Sequence, residues 1–400
     1  MKREVPIGFA DVGEKEEEYV LDSLRNKRLS YGKYTHMFEN EFSKEHGCKY
    51  GMVCNSGTSA LRVAIAALKE TCNWEDGSEV LVPAVTFVAT SNVLIQQNLK
   101  PVFVDVDPLT YNIDPNMIEE KITKKTVGIM PVHLCGLPCE MGPIMEIARK
   151  HNLRVVEDSA ETMFAKYKGK PVGSFGDVGC FSMYVAHILV SGVGGITTTN
   201  DADLAVVMKS IMNHGRDSVY ISIDDDDNIT DPAKMKFIME RRFRFVRLGY
   251  SFRLTELEGA LAHAQFERRR EILFRRKENA KWLTDGLSKH SEFLQLPTVP
   301  KDRDHAFMFY PIVVKDGADF SRDELTLHLE MKGIETRFLL PLINQPIYIK
   351  LFGELESRYP VAKNLNANAF YIGCHQHISK EDVEYVLGVF GEFFKKRAGK

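Results

Sequence analysis

The chain has 400 residues, 44% hydrophobic and 27% charged, a balance that excludes disordered, collagen-like and low-complexity scaffolds and leaves room for two domains. Fifty-two basic residues against 55 acidic ones give a net charge of −3, so no global basic field exists to hold nucleic acid or an anionic membrane. The first residues lack the apolar core of a signal peptide, no run reaches bilayer length, and seven cysteines form no dense framework, which together predict free thiols in a reducing cytoplasm.

Along the chain, Thr58 to Glu70 has helical periodicity, with Leu61, Ala64, Ile65 and Leu68 on one face. Short apolar runs follow at 79–83, 101–105, 127–132, 153–156, 178–182 and 195–198, with helical patterns between most of them, as at 141–151 and 203–213. Short buried strands separated by helices predict an α/β fold with a mostly parallel sheet covered on both faces. The stretch between Arg216 and Gly249 is polar, and its run Asp224 to Asp227 reads as a solvated loop. A long charged helix is expected from Thr255 to about Ala280, then an extended run at 308–314, a helix at 321–332 and an amphipathic helix at 381–396. The predicted organisation is an arm over 1–30, a large domain over 31–255, and a connecting helix with a small α+β domain over 256–400.

Three segments carry chemistry. Asn55-Ser56-Gly57-Thr58-Ser59-Ala60 joins small and hydroxyl residues to a helix start, which suits a phosphate and equally suits a plain cap. Asp158 closes the apolar run Val155-Val156-Glu157, at the strand end where open α/β sheets bind ligands; a helix cap is the other reading. The third segment runs from Gly179 through Ser182 and His187 to the turn Gly192-Val193-Gly194-Gly195.

In this order, the three segments resemble the DegT/DnrJ/EryC1/StrS family. Further matches lie at Ser30-Tyr31-Gly32, Thr86 to Thr90, Pro131 to Gly136, Asn213 to Arg216, Gly249 to Glu256 and Gly333 to Arg337. The resemblance implies an aspartate-aminotransferase-like fold type I enzyme dependent on pyridoxal 5'-phosphate (PLP) or its amine form, pyridoxamine 5'-phosphate (PMP). It further implies a homodimer acting on a nucleotide-linked keto sugar, with L-glutamate as amino donor. Carried over position by position, Gly57, Thr58 and Ser182 would hold the cofactor phosphate, with Ser59 beside them. Phe87 would lie against the pyridine ring, Asp158 would pair with its nitrogen, and Glu161 would stand near the cofactor. Ser251 falls where relatives carry an asparagine that reaches the phosphate of the partner subunit. Arg337 is a candidate for a substrate carboxylate or phosphate, or for a surface ion pair.

One position departs from the aminotransferases of the family. Counting back from Gly195, His187 takes the place of the lysine that bonds covalently to the cofactor, and no lysine occurs from Pro171 to Met208. An imidazole cannot make that bond but can move a proton near neutral pH. The combination resembles the family's small branch of sugar-nucleotide 3-dehydratases, in which a histidine serves as base while the C3 hydroxyl is expelled. An aminotransferase with an unusual base and a catalytically silent member of the fold are the alternatives. Glu161 where many relatives carry Gln or His, Val193 where an acid is usual, and Ile188 where the dehydratases often carry a second histidine are further departures. Cys135, Cys139, Cys374, His375 and His377 have loose spacing for a metal and are not assigned one. Arg268-Arg269-Arg270, flanked by Glu267 and Glu271, reads as a salt-bridged helix face.

Overall fold

Short, largely apolar segments set between helices assemble into a seven-stranded sheet in the computed structural model, which describes residues 3–217, 229–241 and 243–398. Its strands are β1 (Tyr50–Cys54), β2 (Glu79–Pro83), β3 (Lys100–Val104), β4 (Thr126–Ile129) and β5 (Arg154–Asp158). A small ribbon of β6 (Lys166–Tyr167) and β7 (Lys170–Pro171) intervenes before β8 (Val178–Ser182) and β9 (Gly195–Thr199). The sheet order is β1-β9-β8-β5-β4-β2-β3. Strands β3, β2, β4, β5 and β8 run parallel, whereas β9 is antiparallel to both β8 and β1. The β8–β9 pair is therefore a hairpin whose loop, 183–194, carries His187 at the carboxyl end of β8.

Helices α1 (Glu14–Arg25), α2 (Lys33–Glu45), α3 (Gly57–Thr71), α4 (Val88–Ile95), α5 (Met141–Lys150) and α6 (Ala202–Met212) accompany this sheet. Helix α3 is its central cover: Ala60, Leu61, Val63, Ala64, Ile65, Ala67 and Leu68 are all buried, and it packs on β8, β9, α4 and α6. Within the polar stretch between Arg216 and Gly249, α7 (Pro232–Arg241) forms; the Asp224–Asp227 run, expected to be a solvated loop, lies outside the described residues. Helix α8 (Glu256–Leu287) extends seven residues past the expected end and packs on α1 and α2.

Beyond α8, strands β10 (Leu294–Gln295), β11 (Phe309–Val314), β12 (Thr336–Phe338) and β13 (Ala369–Gly373) form an antiparallel sheet in the order β10-β11-β13-β12. Helices α9 (Arg322–Met331), α10 (Pro346–Phe352), α11 (Pro360–Asn368) and α12 (Lys380–Ala398) complete the chain. Val5 pairs with Ile334 and is buried with this second core, so the first residues are tied to the small domain. Asp105, one residue past β3, accepts the Val361 and Ala362 N–H groups at the start of α11, both at 2.9 Å, which locks the two sheets together.

Glu256 shows how a single carboxylate can organise several elements. It is buried, and it accepts hydrogen bonds from the Gly32 N–H (2.7 Å), the Tyr34 N–H (2.8 Å) and the Thr35 hydroxyl (2.6 Å) at the start of α2. Negative charge at a helix N-terminus is favourable, and here it also satisfies donors that water cannot reach. Glu258, by contrast, completes an exposed capping box with Thr255. Glu256→Ala should therefore lower the unfolding free energy by about 3 kcal/mol or more, and Glu258→Ala by about 1 kcal/mol. Denaturant midpoints of the two variants, measured side by side, check this ranking.

Candidate active site

A cavity of about 370 Å³ opens at the carboxyl ends of β5 and β8. A helix cap and two close approaches at glycines shape it. Ser56 caps α3 by accepting the Ser59 N–H at 3.0 Å, so the helix starts at Gly57. A Cβ on Gly57 would lie 2.5 Å from the Ser182 Cβ, and one on Gly195 would lie 2.3 Å from the Ser56 carbonyl oxygen. Only glycine lets the α3 start and the ends of β8 and β9 come this close. The first turn of α3 holds no acidic residue, and its free N–H groups face the cavity side occupied by Gly57, Thr58 and Ser182.

Asp158 forms part of the floor. It is buried and accepts hydrogen bonds from the Thr90 hydroxyl (2.8 Å) and the Ala160 N–H (3.2 Å); Thr86 and Thr90 share a further bond of 2.8 Å. Burial raises its pKa, against the pull of the Thr90 and Ala160 bonds and of His133. A cation placed against this carboxylate would favour its charged form. Phe87, the residue before α4, lines the cavity with 57% of its surface exposed, which is unusual for a ring that size.

His187 is half-buried on the wall. Its Nδ1 lies 3.3 Å from the Ser182 carbonyl oxygen, an acceptor only, and the tautomer with its hydrogen on Nδ1 satisfies this contact and leaves the lone pair on Nε2. Burial lowers its pKa to about 4, partly offset by the Ser182 carbonyl, with the Arg276 charge lowering it further. The imidazole is thus neutral at physiological pH. Its segment is closed by main-chain bonds: His187 N–H to the Tyr184 carbonyl (2.8 Å), Met183 N–H to Gly194 (2.9 Å) and Ser191 N–H to Met183 (3.0 Å). Among the described residues, no lysine lines the cavity.

Glu161 completes the set. It is buried, and its Oε2 accepts the N–H of Cys135 at 2.7 Å, holding that residue in a left-handed turn with φ of 56°. Burial lifts its pKa to about 7, with the nearby Asp158 charge adding to the rise. The structure thus brings Gly57, Thr58, Phe87, Asp158, Glu161, Ser182 and His187 together around one space. Ser59 stands just behind, its hydroxyl spent on Asn55 (2.7 Å) and Ser56 (3.0 Å). Ser251 is exposed, and its side chain meets that of Arg253. Arg337 is exposed and paired with Glu335; its neighbour across the small sheet is Tyr371, which does line the cavity. Sequence reasoning overlooked Met308, Phe309, Leu340 and Tyr371, the wall supplied by the small domain, because nothing in their local pattern distinguishes them from core residues.

The geometry suits a pyridine ring carrying a phosphate: a helix N-terminus and hydroxyls at one end, a buried carboxylate at the other, and an open aromatic face between them. The chain belongs to the DegT/DnrJ/EryC1/StrS aminotransferase family, which it matches over residues 10–390, and is a PLP-dependent enzyme of that family. It is 32% identical over 379 residues to a GDP-perosamine synthase of Caulobacter vibrioides, covering 94% of this chain and 95% of that protein. It is 29% identical over 392 residues to a dTDP-4-dehydro-2,6-dideoxy-D-glucose 3-dehydratase of Saccharopolyspora spinosa, covering 94% and 84%. Among solved structures, E. coli GDP-4-keto-6-deoxy-D-mannose-3-dehydratase with bound hydrated PLP superposes with a TM-score of 0.87 at 26% identity, over 97% of this chain and 99% of that one. Among the described residues, no helix is long and apolar enough to cross a membrane.

The raised pKa of Glu161 has a stability consequence with a definite sign. Between its ordinary value of 4.5 and about 7 the folded protein holds a proton there that the unfolded chain releases, so this group's contribution to stability falls as pH rises through that window. In cofactor-free protein, Glu161→Gln should therefore gain stability relative to the parent on going from pH 5 to pH 8, by a few kcal/mol at most. Taking the difference between the two proteins cancels the buried histidines, whose lowered pKa values act in the opposite direction. Paired urea titrations at the two pH values measure the change.

Proposed function

We propose that this enzyme removes the C3 hydroxyl of a nucleotide-linked 4-keto-6-deoxy sugar, with His187 as the base. The observation that carries this reading is His187 on the cavity wall, in the place of the family's lysine, with no lysine lining the space. When bound, the PLP/PMP cofactor supplies an electron sink that lets a proton leave one carbon while a hydroxyl leaves another. Gly57, Thr58 and Ser182 grip its phosphate, the Asp158 carboxylate holds its ring nitrogen protonated, and Phe87 covers the ring face. Neutral His187 accepts the proton at Nε2 and, once protonated, can return one. Without an amine at this position, no side chain competes for the cofactor, which favours loss of the C3 hydroxyl over completed amino transfer.

L-glutamate is the proposed electron and amino source. Each turnover would replace C3–OH by C3–H, oxidise one glutamate to 2-oxoglutarate and release one ammonia. The route fits the supply of deoxysugars for polysaccharides. A homodimer belongs to the same proposal: Leu248, three residues before Ser251, and Phe243 are 98% and 83% exposed, apolar side chains that a second subunit would cover.

The relatives' names include both a synthase and dehydratases, so the product decides. With a GDP- or dTDP-linked 4-keto-6-deoxy sugar, PLP and glutamate, the enzyme should release ammonia and yield a 3-deoxy sugar. His187→Asn should lower that rate roughly 10²- to 10⁴-fold while PLP absorbance is retained. His187→Lys should restore a borohydride-fixed adduct on the new side chain, seen by peptide mass, and suppress deoxygenation. An amino sugar as the main product of the parent enzyme would hand the case to an aminotransferase, and absence of PLP binding to a silent fold.

A further inference from the structure

Arg276, in the middle of α8, is 2% exposed and touches neither the cavity nor a carboxylate through its hydrogen bonds. Its Nη2 donates to the His187 carbonyl at 3.0 Å, and its Nη1 donates to the Met308 carbonyl at 3.0 Å and the Phe307 carbonyl at 3.3 Å. Its Nε is buried without a partner. A buried guanidinium held only by main-chain oxygens is costly, and burial pulls its pKa down to about 10. A methionine or leucine would fill this volume at lower cost, so the carbonyls it joins are the feature that needs explaining. One belongs to the residue at the tip of the β8–β9 loop. The other two belong to the segment entering β11, where Met308 and Phe309 form the small-domain wall of the cavity.

We propose that Arg276 is a positioning residue that pins the His187 loop to the small-domain wall, fixing where the imidazole stands relative to the space between them. The proposal rests on the reading of His187 as the base. The groups facing the His187 ring are the Ser182 and Ala160 carbonyls, the Tyr184 ring at 5.9 Å, and Arg276, with Asp158, Glu161 and Tyr371 around the same cavity. Arg276 is the one cation in this set and disfavours a second positive charge on the imidazole. It therefore acts on both the location and the proton affinity of His187. A guanidinium joins three carbonyls in a plane, which an ammonium on a flexible stem cannot reproduce.

The test compares Arg276→Met, Arg276→Lys and the parent in cofactor-free protein, where the His187 imidazole can be titrated by NMR without any reaction. In Arg276→Met the imidazole midpoint should rise by on the order of half a unit or more, and in Arg276→Lys it should stay low. With cofactor and substrate, both variants should lose turnover, Arg276→Met about 10²-fold, with a much smaller change in KM. Rescue of full turnover by Arg276→Lys would show that charge alone matters and overturn the positioning role. An unchanged imidazole midpoint together with turnover within twofold in Arg276→Met would overturn the whole proposal. If Arg276→Met does not fold, Arg276→Gln, neutral and still a donor, serves for the same comparison. Failure of the base assignment shows itself separately, as an active His187→Asn variant.

Discussion

The close approach of the α3 N-terminus to the ends of β8 and β9 is the constraint on which the rest of the site depends. Ser56, Gly57, Ser182 and Gly195 pack with separations that leave no room for a side chain at either glycine. Such contact brings unpaired helix N–H groups to the carboxyl edge of the sheet, where a partial positive charge faces outward. The order of strands makes this possible. Because β9 turns back antiparallel beside β8, the loop between them must rise from the same edge, and His187 is delivered there by topology rather than by any local propensity.

Around this edge the protein buries charge where apolar groups would be cheaper. Asp158 and Glu161 line the same cavity; burial favours the protonated form of each, and the Asp158 charge raises Glu161 further. Asp158 is supplied with two donors, the Ala160 N–H and the Thr90 hydroxyl, which is itself bonded to Thr86. Glu161 is given a single N–H from a strained turn. The asymmetry assigns different states to two carboxyls about the same cavity: one poised to meet a cation as an anion, the other retaining a proton near neutrality. Glu157, on the neighbouring position of β5, shows what a fully satisfied buried carboxylate looks like here. It accepts three main-chain N–H groups from Gly173, Phe175 and Gly176 and pairs with His133 at 3.0 Å, which makes it a structural brace.

Much of the large domain was legible from apolar runs, since a strand buried on both faces has to be apolar throughout. Helix α3 and strands β2, β8 and β9 fall within a residue or so of where periodicity placed them. Helices α1 and α2 were not, because their mean character is polar and their burial comes from α8, a partner more than 200 positions away. The extra turns of α8 were missed for a similar reason: Leu283 and Leu287 belong to the second core and continue a stripe that the basic residues of its middle interrupt. At the cavity, Gly57, Asp158, Ser182 and His187, singled out in the sequence by residue type and by their place in the resemblance, line one space. Tyr371, Leu340 and Arg276 had no such signal, because only the fold brings them to this space or to the loop that bears His187.

The same physics explains why exchanging lysine for histidine at position 187 changes more than one bond. A lysine there would carry a flexible stem and a charge that this half-buried, cation-flanked position opposes, unless the ammonium were consumed in a covalent link. An imidazole is shorter and rigid, and it is held through Nδ1 by the Ser182 carbonyl, so its free nitrogen has a defined direction. Burial and the Arg276 charge lower its pKa to about 4, which leaves it neutral near pH 7. In the proposed reaction this imidazole would take a proton and hand one back, and among the described residues no lysine lines the cavity to hold a cofactor covalently. Under the proposed function, retention of the cofactor would fall on the α3 N-terminus with Ser182 and on Asp158, which the packing of α3 against β8 and the Thr90 hydroxyl hold in place.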